Sequence, residues 1–246
     1  MSKKILVTGS SSGIGLAIAI KLKKKGNLVI INGRNKKKLI NIQKKEKFFG
    51  CENGDLSNPK EAEKVVLKSY KKLKGLDVII CNAGESKSSP PNNENFKEWN
   101  KMFKQNFFTA SNVIESSKKY LEKTNGKIIC ISSICGNELI KGAPITYSTA
   151  KAALNFYVKS LSHYLPKNIN INLISPGNIL FKGSVWDRKI KENNKAVNKM
   201  LKEKVPLNTL GTLEDIVNIA CYLISEKSRF ISGSNFIIDG GQTIKT

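Results

Sequence analysis

Short runs of consecutive apolar residues alternate with longer amphipathic segments over the whole 246-residue chain. Runs that are apolar at every position are typical of strands in a parallel sheet that is covered on both faces. Their alternation with helix-period segments predicts a doubly wound α/β sheet with right-handed crossovers. The predicted strands are Ile5–Val7, Leu28–Ile31, Phe48–Cys51 (a weaker signal), Val78–Cys81, Ile128–Ile131, Ile169–Ile174 and Phe236–Ile238, and the predicted helices are Ile14–Lys25, Pro59–Leu73, Asn106–Leu121, Tyr147–Leu165 and Leu213–Ile224.

No internal repeat and no linker rich in Pro, Gly or Ser divides the chain. We therefore predict a single domain over residues 1–246, with about seven parallel strands and helices on both faces of the sheet. Two connections are long: the polar loop Ser86–Asn95, and an insertion at about 178–206 between a strand and a helix. Long connections in compact domains are often functional, and we interpret the insertion as a mobile flap.

A glycine-rich turn follows the first predicted strand directly and leads into an amphipathic helix. Its sequence is Thr8-Gly9-Ser10-Ser11-Ser12-Gly13-Ile14-Gly15, a G-x-x-x-G-x-G spacing. Glycines permit a tight turn and a close approach to a pyrophosphate, and a helix N-terminus offers free N–H donors to the anion. The position of the turn between strand and helix therefore predicts a Rossmann-type dinucleotide site.

The end of the second predicted strand bears on the choice between NAD and NADP. An NAD site usually places an acidic residue here to bind the ribose 2′-hydroxyl, but the sequence reads Asn32-Gly33-Arg34-Asn35. The planar guanidinium of Arg34 is suited to a 2′-phosphate. We therefore expect NADP(H) in preference to NAD(H).

Tyr147 and Lys151 lie four residues apart, which places a phenol and an amine on one face of a predicted helix. A free tyrosine has a pKa near 10, and a neighbouring ammonium would lower that pKa towards a useful range for proton exchange with an alcohol or ketone. Ser133 follows the fifth predicted strand and is positioned to hydrogen-bond a substrate oxygen. We expect these three side chains to form the reacting centre.

In these motifs and their order, essentially the whole chain resembles the short-chain dehydrogenase/reductase family. Asn106, Ser133, Tyr147 and Lys151 match the catalytic tetrad of that family. The other matching positions are Thr8-Gly9-x-x-x-Gly13-Ile14-Gly15, Asp55-Leu56, Asn82-Ala83-Gly84, Pro176-Gly177 and Ile238-Asp239-Gly240-Gly241.

The resemblance implies roles for these positions. Tyr147 would be the general acid in reduction and the base in oxidation, Lys151 would bind the nicotinamide ribose and lower the tyrosine pKa, Ser133 would polarise the carbonyl, and Asn106 would hold a proton-relaying water. The insertion at 178–206 would cover the substrate cleft as a lid, including Trp186, Met200 and Leu201. The implied cofactor contacts are Gly9, Ser11, Ser12, Gly13, Ile14, Gly15, Arg34, Asp55, Leu56, Asn82, Ala83, Gly84, Tyr147, Lys151, Pro176, Gly177 and Ile179.

Two features depart from the family pattern. Fourteen positions separate Ser133 from Tyr147, one more than is common, so Ser132 is the fallback for the serine role. The fifth position after Pro176 is often Thr in the family and is Phe181 here. We expect backbone groups of Ile179 or the hydroxyl of Ser184 to replace the lost contact.

The chain carries 42 Lys and Arg against 19 Asp and Glu, a net charge of +23. The lysines are dispersed rather than gathered in a stripe, so we interpret them as solvated helix faces and expect no nucleic-acid partner. Five cysteines without a CxxC pair predict neither disulfides nor a metal site and favour a cytoplasmic protein. No apolar run is long enough to predict a membrane span. We interpret His163 as structural and Cys135 as a packed loop residue.

The leading functional hypothesis is an NADPH-dependent reductase of ketones, most similar to 3-oxoacyl-[acyl-carrier-protein] reductases, with an acidic carrier as partner. The alternative is a sugar or nucleotide-sugar dehydrogenase/reductase of surface-glycan synthesis, because the segment Gly183–Arg188 is not typical of acyl reductases. More distant alternatives are a non-enzymatic NADPH-binding regulator and a nucleic-acid binder, which salt-sensitive retention on DNA would reveal. The resemblance further implies a homotetramer that pairs the helices beginning near Asn106 and Tyr147.

Overall fold

A computed structural model describes residues 2–244 of the chain. Its strands are β1 (Lys4–Val7), β2 (Leu28–Gly33), β3 (Gly50–Asn53), β4 (Val78–Cys81), β5 (Lys127–Ile131), β6 (Asn170–Pro176), β7 (Ile179–Leu180), β8 (Gly211–Thr212) and β9 (Asn235–Ile238). Seven of them form one sheet in the order β3-β2-β1-β4-β5-β6-β9, with every neighbouring pair parallel. The two-residue strands β7 and β8 pair separately. The order reverses direction between β1 and β4, where the open crevice of a doubly wound sheet lies.

The helices are α1 (Gly13–Lys24), α2 (Lys36–Lys45), α3 (Pro59–Leu73), α4 (Phe96–Phe103), α5 (Thr109–Leu121), α6 (Ile145–Leu161), α7 (Val185–Lys204) and α8 (Leu213–Leu223). A π-helical turn, Lys104–Phe108, joins α4 to α5. No helix within residues 2–244 is both long enough and apolar enough to cross a membrane.

Alternate strand residues face opposite sides of the sheet and bury two apolar layers. Ile79 belongs to the layer under α3, α5 and α6, whereas its neighbour Ile80 belongs to the layer under α1 and α8. This two-sided burial accounts for the continuous apolar runs in the sequence, since both strand faces are covered. The predicted single-domain, doubly wound fold is confirmed.

Several boundaries differ from the sequence expectation. Strand β3 lies two residues later than predicted, because Phe48 is buried in the preceding loop rather than in the sheet. The helix predicted to begin at Asn106 continues from α4 through the π-helical turn, so Asn106 lies inside that turn. The flap predicted at 178–206 is largely the helix α7, which is kinked at Asn193.

Candidate active site

The turn between β1 and α1 is fixed by the loop that follows β4. The Thr8 hydroxyl accepts hydrogen bonds from the backbone amides of Asn82 (2.9 Å) and Ala83 (3.1 Å), while Asn82 Nδ2 donates to the Gly9 carbonyl at 3.0 Å. A Cβ on Gly9 would lie 2.6 Å from Ala83 Cα, and one on Gly15 would lie 2.4 Å from Asn82 Nδ2. Gly9 and Gly15 are therefore required by the packing of the glycine-rich turn and the start of α1 against the loop after β4.

Gly13 begins α1 with φ +58°, a conformation that favours glycine. The preceding N-cap residue, Ser12, makes no side-chain capping bond, and the first turn of α1 contains no acidic residue. The N–H groups of this turn therefore remain available to an anion, which the partial positive charge of a helix N-terminus attracts. The ring of Phe181 lies against Gly13, with its nearest atoms 3.1 and 3.2 Å from the place a Cβ would occupy.

A cavity of about 340 Å³ extends from this turn towards the ends of β2 and β3, and we call it the adenosine cavity. Its walls include Ser11, Arg34, Asp55, Leu56 and Ala83. The Arg34 side chain is exposed and forms no salt bridge with any of residues 2–244. Its charge is therefore free for an anionic ligand at the mouth of the cavity.

A second cavity of about 280 Å³, the reaction cavity, adjoins the first and contains Tyr147 and Lys151. Lys151 is 4% exposed, and its Nζ donates a 2.9 Å hydrogen bond to the Ile131 carbonyl at the end of β5. The same Nζ lies 5.9 Å from the centroid of the Tyr147 ring. The remaining lining residues are Gly9, Ser12, Gly13, Ile14, Asn82, Gly84, Glu85, Ser86, Asn106, Ile131, Ser132 and Phe181.

Ser133, rather than Ser132, is hydrogen-bonded to the Tyr147 phenol. The Ser132 hydroxyl instead donates to Asn155 Oδ1 on α6. Gly136 packs directly on α6, where a Cβ would lie 2.7 Å from the Lys151 carbonyl carbon. The long connection between serine and tyrosine is therefore accommodated beyond Gly136, in an exposed loop that includes Leu139.

Burial has opposite effects on the two central ionisable groups. It raises the pKa of Tyr147 above its usual value, and the hydrogen bond from Ser133 only partly opposes this. Burial lowers the pKa of Lys151 to about 8. Burial is the largest influence on the pKa of Tyr147 in the chain by itself. The expectation that the Lys151 ammonium lowers this pKa stays a prediction.

Asn106 is fully engaged with the loop after β4. Its Oδ1 accepts from the Glu85 amide (3.1 Å), and its Nδ2 donates to the Glu85 carbonyl (2.9 Å) and to the Met102 carbonyl (3.2 Å). The π-helical turn shifts the helical register and turns this side chain towards the reaction cavity. In this structure the amide of Asn106 holds the Gly84–Glu85 segment in place, which the sequence did not reveal.

Six predicted residues line neither cavity: besides Gly15 and Ser133, described above, they are Pro176, Gly177, Ile179 and Ser184. Gly177 packs on the C-terminal motif, where a Cβ would lie 2.7 Å from Asp239 Cβ, and Ile179 belongs to the short strand β7. Pro176 ends β6, and the Ser184 hydroxyl caps α7 by accepting from the Asp187 amide at 3.0 Å. Their contacts with a cofactor remain predictions.

Glu85 is a wall residue that belongs to none of the sequence motifs. It lines both the adenosine cavity and the reaction cavity. The available signal was its position directly after Asn82-Ala83-Gly84, at the carboxyl end of a central strand.

Two other residues weighed in the sequence line neither cavity. Burial raises the pKa of Cys135, as expected for a packed thiol, and His163 is exposed beyond the end of α6.

Comparison with known proteins shows the family to which the chain belongs. A family model described as enoyl-(acyl carrier protein) reductase matches residues 9–243. The chain is 33% identical to the 3-oxoacyl-[acyl-carrier-protein] reductase of Rickettsia felis, over 97% of this chain and 96% of the relative. The chain belongs to the short-chain dehydrogenase/reductase family. It is therefore an oxidoreductase, and the resemblance inferred from the sequence is confirmed.

Two further similarities show the breadth of this short-chain dehydrogenase/reductase family. The glucose 1-dehydrogenase of Gluconobacter oxydans is 30% identical, over 98% of this chain and 92% of the relative. The solved structure of YwfH, an NADPH-dependent reductase involved in bacilysin biosynthesis, superposes with a TM-score of 0.90 at 25% identity and covers 100% of both chains. Relatives with this fold thus act on quite different substrates.

Proposed function

We propose that this chain reduces a ketone to a secondary alcohol with NADPH, or carries out the reverse reaction. The observation that carries the proposal is the convergence of Ser133, Tyr147 and Lys151 beside a cavity that also contains the glycine-rich turn. A proton donor and an anion-binding helix terminus thus face one space, as a hydride-transfer enzyme requires.

The residues present fit a phosphorylated dinucleotide. The uncapped first turn of α1 would bind the diphosphate, and Asp55 and Leu56 would contact the adenosine. Arg34 would pair with a 2′-phosphate, which supports NADP(H) over NAD(H). Asn82, Ala83 and Gly84 form the opposite wall. The nicotinamide supplies the hydride when bound.

The chain's own residues would handle the proton and the carbonyl oxygen. Because the pKa of Tyr147 is raised, its phenol retains the proton at neutral pH and is suited to protonate a developing alkoxide. Ser133 would hydrogen-bond the same oxygen and hold it against the phenol. The Lys151 ammonium, with a pKa of about 8, would add positive charge close to the reacting atoms. Alcohol oxidation needs the phenolate and is therefore expected to be favoured at higher pH.

For the substrate we propose a 3-oxoacyl thioester, because oxoacyl reductases recur among the relatives at 33–34% identity. A net charge of +23 would suit an acidic carrier protein as partner. The second candidate is a sugar or nucleotide-sugar oxidoreductase. The glucose 1-dehydrogenase relative favours it, as does Glu85, which lines the reaction cavity and whose carboxylate can accept hydrogen bonds from hydroxyl groups beside the bond it accepts from the Lys87 amide.

The test is NADPH consumption by the purified protein with an acetoacetyl thioester, run beside NADH and a Tyr147→Phe variant. Turnover with NADPH that the substitution abolishes supports the proposal. If the protein binds NADPH and turns over a sugar but no thioester, the second candidate, a sugar oxidoreductase, is favoured. A Tyr147→Phe variant with full activity refutes the proposed proton donor.

We also propose a cytoplasmic homotetramer. The exposed apolar side chains of Phe108, directly before α5, and of Phe156, on α6, support assembly through these two helices. Five unbridged cysteines support a reducing compartment. A monomeric mass by light scattering would contradict the assembly.

A further inference from the structure

A separate cavity of about 390 Å³ lies between α7 and the loop that follows β5. We call it the lid cleft. Leu139, Ile140 and Lys141 line it from the loop, and Trp186, Met200 and Lys204 line it from α7. The same loop leads directly into α6, which carries Tyr147, and the segment before α7 carries Phe181 of the reaction cavity. The lid cleft is therefore positioned to receive the part of a substrate that extends away from its carbonyl group.

Much of the wall of the lid cleft is apolar and open to solvent. Leu139 is 90% exposed, and Trp186 and Met200 are only half-buried although they pack on the small cluster around Val197. Apolar side chains from two separate segments thus meet across an open space without covering one another. Such a wall gains contact area when a ligand carries a hydrocarbon portion into the cleft.

Two ammonium groups rim this apolar wall. Lys141 and Lys204 are exposed, and neither forms a salt bridge within residues 2–244. The neutral amides of the wall bond to each other, with Asn178 Nδ2 donating to Gln242 Oε1 at 2.6 Å. The carboxylate of Glu138 accepts the Ile244 amide, so it faces the chain's own C-terminal segment. The wall of the cleft thus carries two ammonium groups and one carboxylate, which is engaged by the Ile244 amide, so its net charge is positive.

We propose that the lid cleft selects substrates whose far end is an apolar chain terminated by an anionic group, a carboxylate or a phosphate. Trp186 and Met200 contact the chain, and Lys141 and Lys204 bind the anion. The inference rests on the proposed ketone reduction at Tyr147 and specifies which ketones that site accepts. It applies to an acyl thioester or to a phosphorylated sugar derivative that carries such an anionic group at its far end.

The experiment compares three methyl ketones of equal chain length, ending in an alkyl group, a carboxylate or a phosphate monoester. Their kcat and KM with NADPH are measured for the natural sequence and for the double variant Lys141→Gln/Lys204→Gln. The matched control is Lys64→Gln/Lys68→Gln, which removes two exposed lysines of α3 and causes the same change in net charge. We expect an anionic end to lower KM about tenfold or more, with kcat unchanged, and only the Lys141/Lys204 variant to lose this preference.

A preference for the carboxylate alone or for the phosphate alone supports the inference and names the anion. The inference is overturned if the natural sequence does not distinguish charged from neutral ends, or if both double variants lose the preference equally. If no ketone is reduced, the proposed function fails instead.

In that case the inference is tested by the binding of a non-reducible alkyl carboxylate, which is followed through the fluorescence of Trp186 with Trp186→Phe as the blank. Weaker binding in the Lys141/Lys204 variant alone supports it, and equal binding in all variants overturns it.

Discussion

Replacing Lys151 with methionine should change how the stability of the fold depends on pH. The Lys151 ammonium is 4% exposed, and burial lowers its pKa from 10.5 to about 8. Each pKa unit corresponds to about 1.4 kcal/mol, so the charged form of Lys151 opposes folding by roughly 3 kcal/mol. Methionine has a similar length and no charge. Methionine cannot make the hydrogen bond that Lys151 donates to the Ile131 carbonyl, and this lowers the free energy of unfolding of the variant by an amount that does not depend on pH.

The sign follows from proton binding in the two states. Below about pH 8, Lys151 is protonated in both the folded and the unfolded chain and contributes no pH dependence. Between its folded pKa of about 8 and its unfolded value of 10.5, only the unfolded chain binds the proton, so stability rises with pH. The free energy of unfolding of the natural sequence should therefore increase by roughly 3 kcal/mol relative to Lys151→Met across this window.

Urea unfolding of both proteins at a series of pH values measures this difference. Tyr147 is present in both proteins, so the effect of its ionisation largely cancels in the difference between their free energies of unfolding. Lys68→Met, which removes an exposed lysine of α3, serves as control and should follow the natural sequence at every pH. Parallel curves for Lys151→Met and the natural sequence would refute the conclusion that Lys151 is desolvated.

Three further predictions concern the two cavities. Arg34→Gln should weaken binding of NADPH and of adenosine 2′,5′-bisphosphate by about 10- to 100-fold and leave NADH unchanged, because only the 2′-phosphate loses a charged partner; equal losses for both cofactors would exclude that pairing. Ser133→Ala should lower kcat by about 100-fold, whereas Ser132→Ala should chiefly lower the melting temperature through its lost bond to α6; the reverse pattern in kinetics and calorimetry would assign catalysis to Ser132. Phe181→Ala should tighten NADPH binding by up to about tenfold and leave the binding of adenosine 2′,5′-bisphosphate unchanged. The Phe181 ring covers Gly13, and without it a diphosphate no longer has to break about 1 kcal/mol of apolar contact in order to reach the turn. Unchanged or weaker NADPH binding in a calorimetric titration would contradict this.

The sheet and the helices that bury a broad apolar face could be predicted from the sequence. Helix α3 begins at Pro59 and ends at Leu73 as expected, since it buries five residues at helical spacing and Asn58 caps its first turn. Helix α2 escaped prediction because Leu39 is its only buried residue among many lysines. In α7 only Val197 and Leu201 are buried, so its apolar periodicity was too sparse to identify twenty helical residues.

Most residues that line the two cavities could be predicted, but their bonding could not. The sequence places Ser132 and Ser133 side by side and cannot tell which one faces Tyr147, because the choice depends on Asn155, more than twenty residues away. The engagement of Asn106 by Glu85 likewise depends on how two distant segments pack. The pKa of Lys151 follows from burial, which only the folded chain defines.

The hydrogen bonds between Thr8 and the loop after β4 have a consequence for the thermodynamics of ligand binding. Asn82 and Ala83 hold the glycine-rich turn through side-chain and backbone groups of the protein itself. A ligand that enters this turn meets a backbone that is already ordered. The conformational entropy of the turn is therefore lost once, during folding, and does not have to be lost again at each binding event.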